Sequence, residues 1–305
     1  MVFDATLLGI SSSTPLKNRN HTSLAVKYDG EVILFDAGES VQQQLMKVKI
    51  SYMAITKIFI THFHADHFLG LPGLLATMSL HKREEPLTIY GPNGVEKRVR
   101  TILEFFEIQT VYDLKFVELH NGIICDTKEY QIIARGVKHL LPNFAFVFKE
   151  KDSVGKFLKE KALALGIPEG PLYSQLKDGK AILWKGRKIS PDEVMDYKTI
   201  KRGKSLAYVV DCFDANYEDF LENVDVLFHE SAFMKKDLLQ AKKTRHSVTI
   251  NVAEIAKNAK VKKLVLINFS PRYDDLNTLL HEVQSIYPDA ELGQELKTYN
   301  LHIKQ

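Results

Sequence analysis

The chain contains 305 residues, of which 45% are hydrophobic and 26% are charged. This composition is close to the globular average, so collagen-like and disordered chains are excluded, and no apolar run of about 18 residues predicts a membrane-spanning helix. The two cysteines, Cys125 and Cys212, are too few for a disulfide framework and favour the reducing environment of the cytoplasm. The first residues also lack the basic start of a secretory signal.

Short apolar runs separated by turn signals dominate the first half of the chain. Runs rich in Val, Ile, Leu and Phe predict strands at residues 3–10, 23–28, 32–35, 57–60, 87–90, 116–119, 130–137 and 145–149. Apolar residues at helical spacing predict helices at 40–47, from Gly70 onward and at 95–106. The pair Asp29-Gly30 predicts a tight hairpin turn between the second and third strands.

The same pattern resumes after residue 204. Apolar runs predict strands at 206–210, 226–228 and 263–267. Helical periodicity predicts helices at 248–259 and 276–286. Because strands followed by helices occur in two similar halves, the sequence predicts a layered α/β sandwich.

The segment 149–204 differs in composition from the rest of the chain. It carries 14 Lys or Arg residues against 8 Asp or Glu residues, an excess of six positive charges, whereas the whole chain has a net charge of +3. Its glycines, prolines and weak apolar periodicity predict an inserted arm rather than part of the core. Such an excess is typical either of a solvated loop or of a surface that neutralises the phosphates of a polyanionic partner.

The strongest chemical signal is THFHADH at residues 61–67, directly after the predicted strand KIFI. Side chains alternate along an extended chain, so His62, His64 and Asp66 are expected to point to one side, and His67 follows where the chain turns toward a helix. Imidazole and carboxylate groups together suit zinc. With eleven histidines in 305 residues, so compact an HxHxDH cluster is improbable as a coincidence. It therefore predicts a metal site.

HxHxDH after a hydrophobic strand is the metal signature of the metallo-β-lactamase fold, and the longer run THFHADHFLGLPGLL resembles the ribonuclease Z family of tRNA 3′-end processing enzymes. The segments PLKNRN at 15–20, FDAGE at 35–39 and GPLY at 170–173 extend the resemblance over nearly the whole chain. It implies an α/β fold of the metallo-β-lactamase type, a four-layer αββα sandwich. A single domain would span residues 1–305, with a flexible basic exosite arm inserted at 149–204.

The resemblance also implies the remaining metal ligands. His139 matches the third histidine of the family, and Asp211 matches the aspartate that bridges two metal ions. A carboxylate has two oxygens and can span two cations about 3.5–4 Å apart. The implied first site contains His62, His64 and His139. The implied second site contains Asp66 and His67, with Asp211 shared between the two.

Residue 268 departs from the pattern of the family. The family has a histidine there, in a segment like LTHFSPRY, to complete the second site, whereas this chain reads LINFSPRY with Asn268. An amide oxygen is a poorer zinc ligand than imidazole, so two Zn²⁺ sites are expected, of which the second is weak or completed by water. Mn²⁺ and Mg²⁺ are alternatives, because these harder ions accept oxygen ligands more readily.

The family's motifs also imply catalytic and RNA-binding residues. Asp66 would accept the proton of the attacking water, while His246, in a segment resembling the HST motif, would stabilise the phosphate or protonate the leaving oxygen, and Glu230 would orient His246. The implied substrate-binding residues are Lys17, Arg19, Asn20, Gly170 and Pro171. Asp36 ends a predicted strand, where it is expected either to accept a hydrogen bond from a ligand histidine or to be a turn residue.

Together these features imply an endoribonuclease that hydrolyses a phosphodiester bond at the 3′ side of precursor tRNA, with a metal-activated water as the nucleophile. The resemblance further implies a homodimer in which the arm of one subunit serves the other's active site. Two alternatives remain open. One is another phosphodiesterase of the same fold, which would need no cationic arm. The other is a tRNA-binding homologue in which Asn268 has weakened or abolished catalysis.

Overall fold

The computed structural model describes residues 2–213 and 216–302, and its main strands form two seven-stranded sheets. The first sheet has the order β18-β1-β2-β3-β4-β5-β6. Its strands are β1 (Phe3–Gly9), β2 (Ser23–Tyr28), β3 (Glu31–Phe35), β4 (Ile55–Phe59), β5 (Leu87–Gly91), β6 (Leu114–Glu118) and β18 (Thr298–Asn300). Strands β3 to β6 run parallel, and β2 and β3 form the predicted hairpin, in which Asp29 and Gly30 both have positive φ.

The second sheet has the order β17-β16-β15-β14-β9-β8-β7. Its strands are β7 (Gly122–Asp126), β8 (Tyr130–Val137), β9 (Asn143–Glu150), β14 (Ser205–Val209), β15 (Val226–Glu230), β16 (Leu264–Ile267) and β17 (Glu291–Leu292). Strands β14 to β17 are parallel neighbours, so their C-terminal ends lie at one edge of the sheet.

Aromatic side chains fill the space between the two sheets. The ring of Phe35 in the first sheet lies 5.5 Å from that of Phe146 and 5.8 Å from that of Tyr208 in the second sheet. At another position the rings of Phe3 and Phe148 are 4.7 Å apart. Such rings bury large apolar areas and hold the sheets face to face.

Helices cover the outer faces of both sheets, because the apolar side chains on those faces of the strands have to be buried. Leu34 and Ile58 alternate along their strands with the inward-facing phenylalanines and pack in a cluster with the helices. The first sheet is covered by α1 (Val41–Lys47), α3 (Gly70–Leu80) and α4 (Val95–Phe105), and the short α2 (Ala65–Phe68) precedes α3. The second half adds α7 (Leu238–Thr244), α8 (Thr249–Asn258) and α9 (Asn277–Gln284), of which α8 contacts β15 and α9 contacts β17. This arrangement confirms the predicted αββα sandwich.

Residues Glu150–Lys204, together with Lys128–Tyr130, form a second compact unit. Its elements are β10 (Lys156–Phe157), α5 (Lys159–Ala164), α6 (Pro171–Lys177), β11 (Ile182–Trp184), β12 (Arg187–Ile189) and β13 (Met195–Asp196). Buried side chains such as Ile167, Leu176 and Ile189 give it a small hydrophobic core of its own. The sequence shows little apolar periodicity here, because each helix is shorter than two turns and each strand is shorter than four residues.

Most predicted elements agree with the structure to within two residues, but several short ones were not predicted. Strand β7 was missed because its register shifts between Ile123 and Cys125, which breaks the alternation of apolar residues. Helix α7 was missed because it buries only Ala241. Strands β17 and β18 have two and three residues, too few for a periodic signal.

Gly70, at the start of α3, is predicted to be intolerant of a side chain. A Cβ at residue 70 would lie 2.0 Å from the carbonyl oxygen of Gly38, which is backbone, whereas a Cβ at Gly73 on the same helix would meet only the flexible side-chain amide of Gln42 at 2.8 Å. We expect Gly70→Ala to lower the free energy of unfolding by about 2 kcal/mol or more.

The matched variant Gly73→Ala is expected to stay within about 1 kcal/mol of the original chain, because alanine's higher helix propensity offsets the local adjustment. Urea unfolding followed by circular dichroism measures both values. Equal stability of the two variants would contradict the close approach of the Gly38 backbone.

Candidate metal centre

The candidate ligands follow the C-terminal ends of strands from both sheets, where the two halves of the sandwich meet. His62 comes three residues after β4, and His139 comes two residues after β8. Asp211 follows β14, Glu230 is the last residue of β15, and Asn268 directly follows β16. In open α/β sheets such strand ends form the usual crevice for a ligand. The structure thus brings together residues separated by about 200 positions in the chain.

Three ring nitrogens and one carboxylate oxygen converge at the first part of the centre. His64 Nδ1 lies 2.9 Å from His62 Nε2 and 3.2 Å from His139 Nε2. Asp211 Oδ2 lies 3.2 Å from His62 Nε2, 3.6 Å from His139 Nε2 and 4.0 Å from His64 Nδ1. Ligand atoms about 2.0–2.2 Å from a tetrahedral zinc ion are roughly 3.3 Å apart. The donor set and its spacing therefore fit a divalent cation.

Hydrogen bonds on the far side of the rings leave the converging nitrogens free to act as ligands. His139 Nδ1 donates to the carbonyl oxygen of Arg245 at 3.0 Å, and His62 Nδ1 lies 3.0 Å from the Thr61 hydroxyl. Burial lowers the pKa of His62 and lowers that of His139 to about 4, despite the nearby Asp211 carboxylate. Neutral imidazoles are the form that binds metal ions, so these two residues need not lose a proton at neutral pH.

A second group is formed by Asp66, His67 and the same Asp211 oxygen. His67 Nε2 lies 3.5 Å from Asp66 Oδ2 and 3.6 Å from Asp211 Oδ2, and it is buried without a hydrogen-bond partner. His67 Nδ1 donates to Asp36 Oδ2 at 2.8 Å, so Asp36 lies where the sequence placed it and fixes the orientation of the ring. The unpartnered Nε2 between two carboxylates fits a second cation, with three protein ligands.

Buried charges explain the protonation of this second group. Burial alone would lower the pKa of His67, but the carboxylates of Asp36, Asp211 and Asp66 raise it well above its usual value. Burial raises the pKa of Asp66, yet the charge of His67 outweighs burial and holds that pKa well below its usual value. The histidine and the carboxylates of this group are therefore all charged. A bound cation would replace the positive charge of the imidazolium.

Asn268 does not join the ligand atoms. Its side-chain nitrogen donates to Asp211 Oδ1, and its side-chain oxygen accepts a hydrogen bond from the Thr22 hydroxyl at 2.8 Å. The amide oxygen, which the sequence offered only as a doubtful metal ligand, therefore faces Thr22. In this arrangement Asn268 holds the shared carboxylate of Asp211 by a hydrogen bond.

The backbone at three strand ends adopts the left-handed region. The φ angles are 57° at Asp36, 49° at Asp211 and 57° at Asn268. Asp and Asn are the non-glycine residues that tolerate this region best, because their short side chains bond locally. Each carboxylate or amide is thereby turned from its strand into the centre.

His246 lies beside the shared carboxylate and is oriented by Glu230. His246 Nδ1 is 3.1 Å from Glu230 Oε2 and 3.7 Å from Asp211 Oδ1, and its ring is 5.2 Å from that of His139. Burial would lower the pKa of His246, but the Glu230 and Asp211 carboxylates raise it to about 9. His246 is therefore protonated at neutral pH. Glu230 also accepts a hydrogen bond from the backbone nitrogen of Cys212.

Several supporting residues were not found by sequence reasoning. Thr61 donates to both oxygens of Asp36, at 3.0 and 2.9 Å, and Tyr208 donates to Asp36 Oδ2 at 3.1 Å. The backbone nitrogen of Ser13 donates to Asp66 Oδ2 at 2.7 Å. The position of Thr61, directly before the HxHxDH motif, was a signal that could have indicated its supporting role. Tyr208 reaches Asp36 across the interior of the sandwich, and no local pattern indicates that contact.

The loop at 15–20 is only partly available to a substrate. Arg19 is buried and donates to the carbonyl oxygen of Tyr273 at 2.9 Å, while Asn20 donates to Glu295 at 2.7 Å. These two residues therefore fix the loop, which differs from the predicted substrate contact. Lys17 is exposed. Gly170 and Pro171 are also exposed at the start of α6, where Gly170 has φ 145°, a backbone conformation that favours glycine.

Comparisons with solved structures agree with this fold. The chain resembles human tRNase Z, short form, with a TM-score of 0.70, 24% identity and coverage of 98% of this chain and 100% of that one. It also resembles the metallo-β-lactamase fold protein YhfI from Bacillus subtilis, with a TM-score of 0.69, 14% identity and 98% coverage of both chains. Fold and centre together define a metallo-β-lactamase-fold protein with a histidine and aspartate metal centre.

Sequence relatives identify the family to which the chain belongs within this fold. Ribonuclease Z of Methanosarcina acetivorans is 37% identical over 299 residues, 95% of each chain, and ribonuclease Z of Latilactobacillus sakei is 37% identical over 302 residues, 96% of each chain. The chain belongs to the ribonuclease Z family, which confirms the resemblance seen in its motifs. A family model described as anti-Pycsar protein Apyc1 matches residues 3–158, a range that includes the HxHxDH motif and His139 but not Asp211.

None of the helices among the described residues combines the length and the hydrophobicity needed to cross a bilayer.

Replacing His139 by Ala tests the first part of the centre. The change removes one of three converging ring nitrogens, so we expect the affinity for a divalent cation, probed with Zn²⁺, to fall at least about 100-fold. The thermal stabilisation that Zn²⁺ gives the original chain should fall with it. Competition with a chromophoric chelator measures the affinity.

The matched control is His281→Ala, because His281 is an exposed histidine on α9 outside the converging groups. It should bind Zn²⁺ as the original chain does. Equal affinities of the two variants would show that the ring nitrogens of the centre are not ligands.

Proposed function

We propose that this chain is an endoribonuclease that hydrolyses a phosphodiester bond at the 3′ side of precursor tRNA and so removes the 3′ trailer. The observation that carries the proposal is the convergence of His62, His64, His139 and Asp211 on one point, in a chain that belongs to the ribonuclease Z family. The relatives matched over 95–96% of their length are named ribonuclease Z. No observation favours either alternative considered from the sequence.

Zn²⁺ is the proposed cofactor. Three imidazole nitrogens and a carboxylate oxygen are the ligand types that zinc takes in four-coordinate sites, and they are all present in the first group. The second group, with Asp66, His67 and the shared Asp211, offers fewer protein ligands and more oxygen, so Mn²⁺ or Mg²⁺ is the alternative there. Bound cations would lower the pKa of a water molecule and polarise the phosphoryl oxygen.

Two side chains are positioned to move protons in this reaction. Asp66 is a carboxylate at neutral pH, consistent with its lowered pKa, and a carboxylate at this position can accept a proton from the attacking water. His246 carries a proton at neutral pH because Glu230 and Asp211 raise its pKa to about 9. It can therefore stabilise the developing negative charge or protonate the leaving 3′ oxygen. Glu230 orients His246 through the 3.1 Å contact.

RNA binding is proposed for the exposed lysines. Lys17 in the loop at 15–20 and the basic segment 149–204 present cations to solvent. Exposed cations of this segment include Lys156, Lys161, Lys180, Lys188 and Lys198. Cations of this kind bind phosphates and thus position RNA by its backbone rather than by its base sequence. We propose that this segment, with Gly170 and Pro171 at the start of α6, is the exosite for the tRNA body.

Homodimer formation and a cytoplasmic location complete the proposal. Leu80, Phe105, Phe106 and Val111 are apolar but 59–80% exposed, a feature typical of surfaces covered by another protein. A partner subunit could cover them. The two buried cysteines are unpaired, as in the reducing cytoplasm where tRNA is processed.

Cleavage of a 3′-extended precursor tRNA tests the proposed activity. The products should be a tRNA with a 3′ hydroxyl and a trailer with a 5′ phosphate. Asp66→Asn should lower the single-turnover rate about 10²–10⁴-fold, because the amide cannot accept the proton. Asp289→Asn, at an exposed position, should keep the original rate. Failure of the original chain to cut any precursor with metal present would contradict the proposal.

Asn268→His tests the proposed weakness of the second site. The change removes the hydrogen bond to Asp211 and adds an imidazole nitrogen, so we expect the Zn²⁺ retained after gel filtration to rise from one ion per chain to two. Thr22→Val removes the hydroxyl that holds the amide but adds no ligand, and it should retain one ion. Elemental analysis measures the stoichiometry. Two tightly bound ions in the original chain would overturn this prediction.

A further inference from the structure

An open cavity of about 610 Å³ lies between the HxHxDH loop and α4. Its walls include Phe63, Phe68, Asn93, Lys97, Arg98 and Thr101. Cavities of roughly 300–1,000 Å³ are the usual size for small ligands. The cavity is thus large enough for one or two nucleotides and too small for a base-paired stem.

Phe63 connects this cavity to the metal centre. It stands between His62 and His64, whose ring nitrogens converge 2.9 Å apart. Because side chains alternate along an extended chain, Phe63 faces the opposite side from these imidazoles. There its ring packs edge-on against Phe68 with 5.5 Å between centroids. A ligand in the cavity would therefore lie on the other side of this loop from the ring nitrogens of two candidate metal ligands.

The polar groups of the cavity are suited to an anion with a planar group. The guanidinium carbon of Arg98 lies 4.6 Å from the centroid of the Phe63 ring. Among the described residues, neither Arg98 nor Lys97 has a carboxylate partner, whereas Arg100 on the same helix pairs with Glu96 at 2.7 Å. The carboxylate of Glu118 accepts a hydrogen bond from the backbone nitrogen of Gly94, a residue of the cavity wall.

We propose that this cavity binds a nucleotide of the single-stranded 3′ trailer beyond the bond that is cut, after the trailer has passed round the HxHxDH loop. Single-stranded RNA is bound by stacking of bases on aromatic rings or guanidinium planes and by cations that meet the phosphates. The Phe63–Arg98 pair supplies the stacking surface, and Lys97 supplies the cation. The trailer is chosen because the other side of the cut leads into the base-paired acceptor stem, which the cavity cannot hold. This inference rests on the proposed tRNA-processing function.

Precursor tRNAs with normal and with abasic trailer nucleotides test the proposal. For the original chain, kcat/KM should fall about tenfold when the trailer bases are removed, the equivalent of one stacked base. A Lys97→Gln/Arg98→Gln variant should cut the normal precursor about tenfold more slowly and lose no further activity with the abasic one. The affinity of this variant for the precursor should also depend less on salt. The slope of log affinity against log salt should be shallower by up to about two units.

Arg100→Gln is the matched control, because it removes a cation from the same helix that is already paired. It should discriminate between the two precursors as the original chain does. Equal cleavage of normal and abasic precursors by the original chain would overturn the proposal, as would full discrimination by the double variant. If the double variant changes its oligomeric mass but still discriminates between the normal and the abasic precursor, the cavity belongs instead to a contact between subunits. Absence of any precursor cleavage would contradict the proposed function itself.

Discussion

The buried carboxylate of Asp211 is the group on which the rest of the centre depends. Its Oδ2 faces ring nitrogens of His62, His139 and His67 within 3.6 Å, and its Oδ1 accepts a hydrogen bond from Asn268. Burial alone would raise the pKa of Asp211, but the imidazoles around it hold that pKa well below its usual value. A buried negative charge is costly unless cations or hydrogen bonds surround it. The groups that compensate this charge come from four loops of both sheets, and these loops therefore meet at the Asp211 side chain.

The interior of the sandwich explains why these loops can meet with such close spacing. Phe35, Phe146 and Tyr208 lock the two sheets face to face, and the strand ends that carry the ligands follow directly from these packed strands. Tyr208 belongs to the second sheet but donates a hydrogen bond to Asp36 at the end of β3 in the first. Asp36 in turn orients His67. Packing and ligand orientation are thus coupled through a small number of buried polar contacts.

The two halves of the centre differ in what they offer a cation. The first half has three ring nitrogens, of which His62 and His139 are kept neutral by burial. The second half has His67 among carboxylates, and the amide of Asn268 is directed by Thr22 so that its nitrogen faces Asp211. Asp66 and His246, the proposed proton-transfer residues, lie in place beside both groups of candidate ligands. We therefore propose that asparagine at 268 affects metal occupancy rather than the fold.

The sequence alone determined the layered α/β class through local periodicity and the HxHxDH cluster through ligand types at short spacing, and the resemblance of its motifs indicated the family. Only the tertiary structure decided that Arg19 and Asn20 fix their own loop, that the Asn268 oxygen faces Thr22, and that the segment 149–204 has a core of its own. Each of these outcomes depends on which distant groups become neighbours. Spacing along a chain does not specify the direction of a buried side chain, since packing between residues hundreds of positions apart sets it.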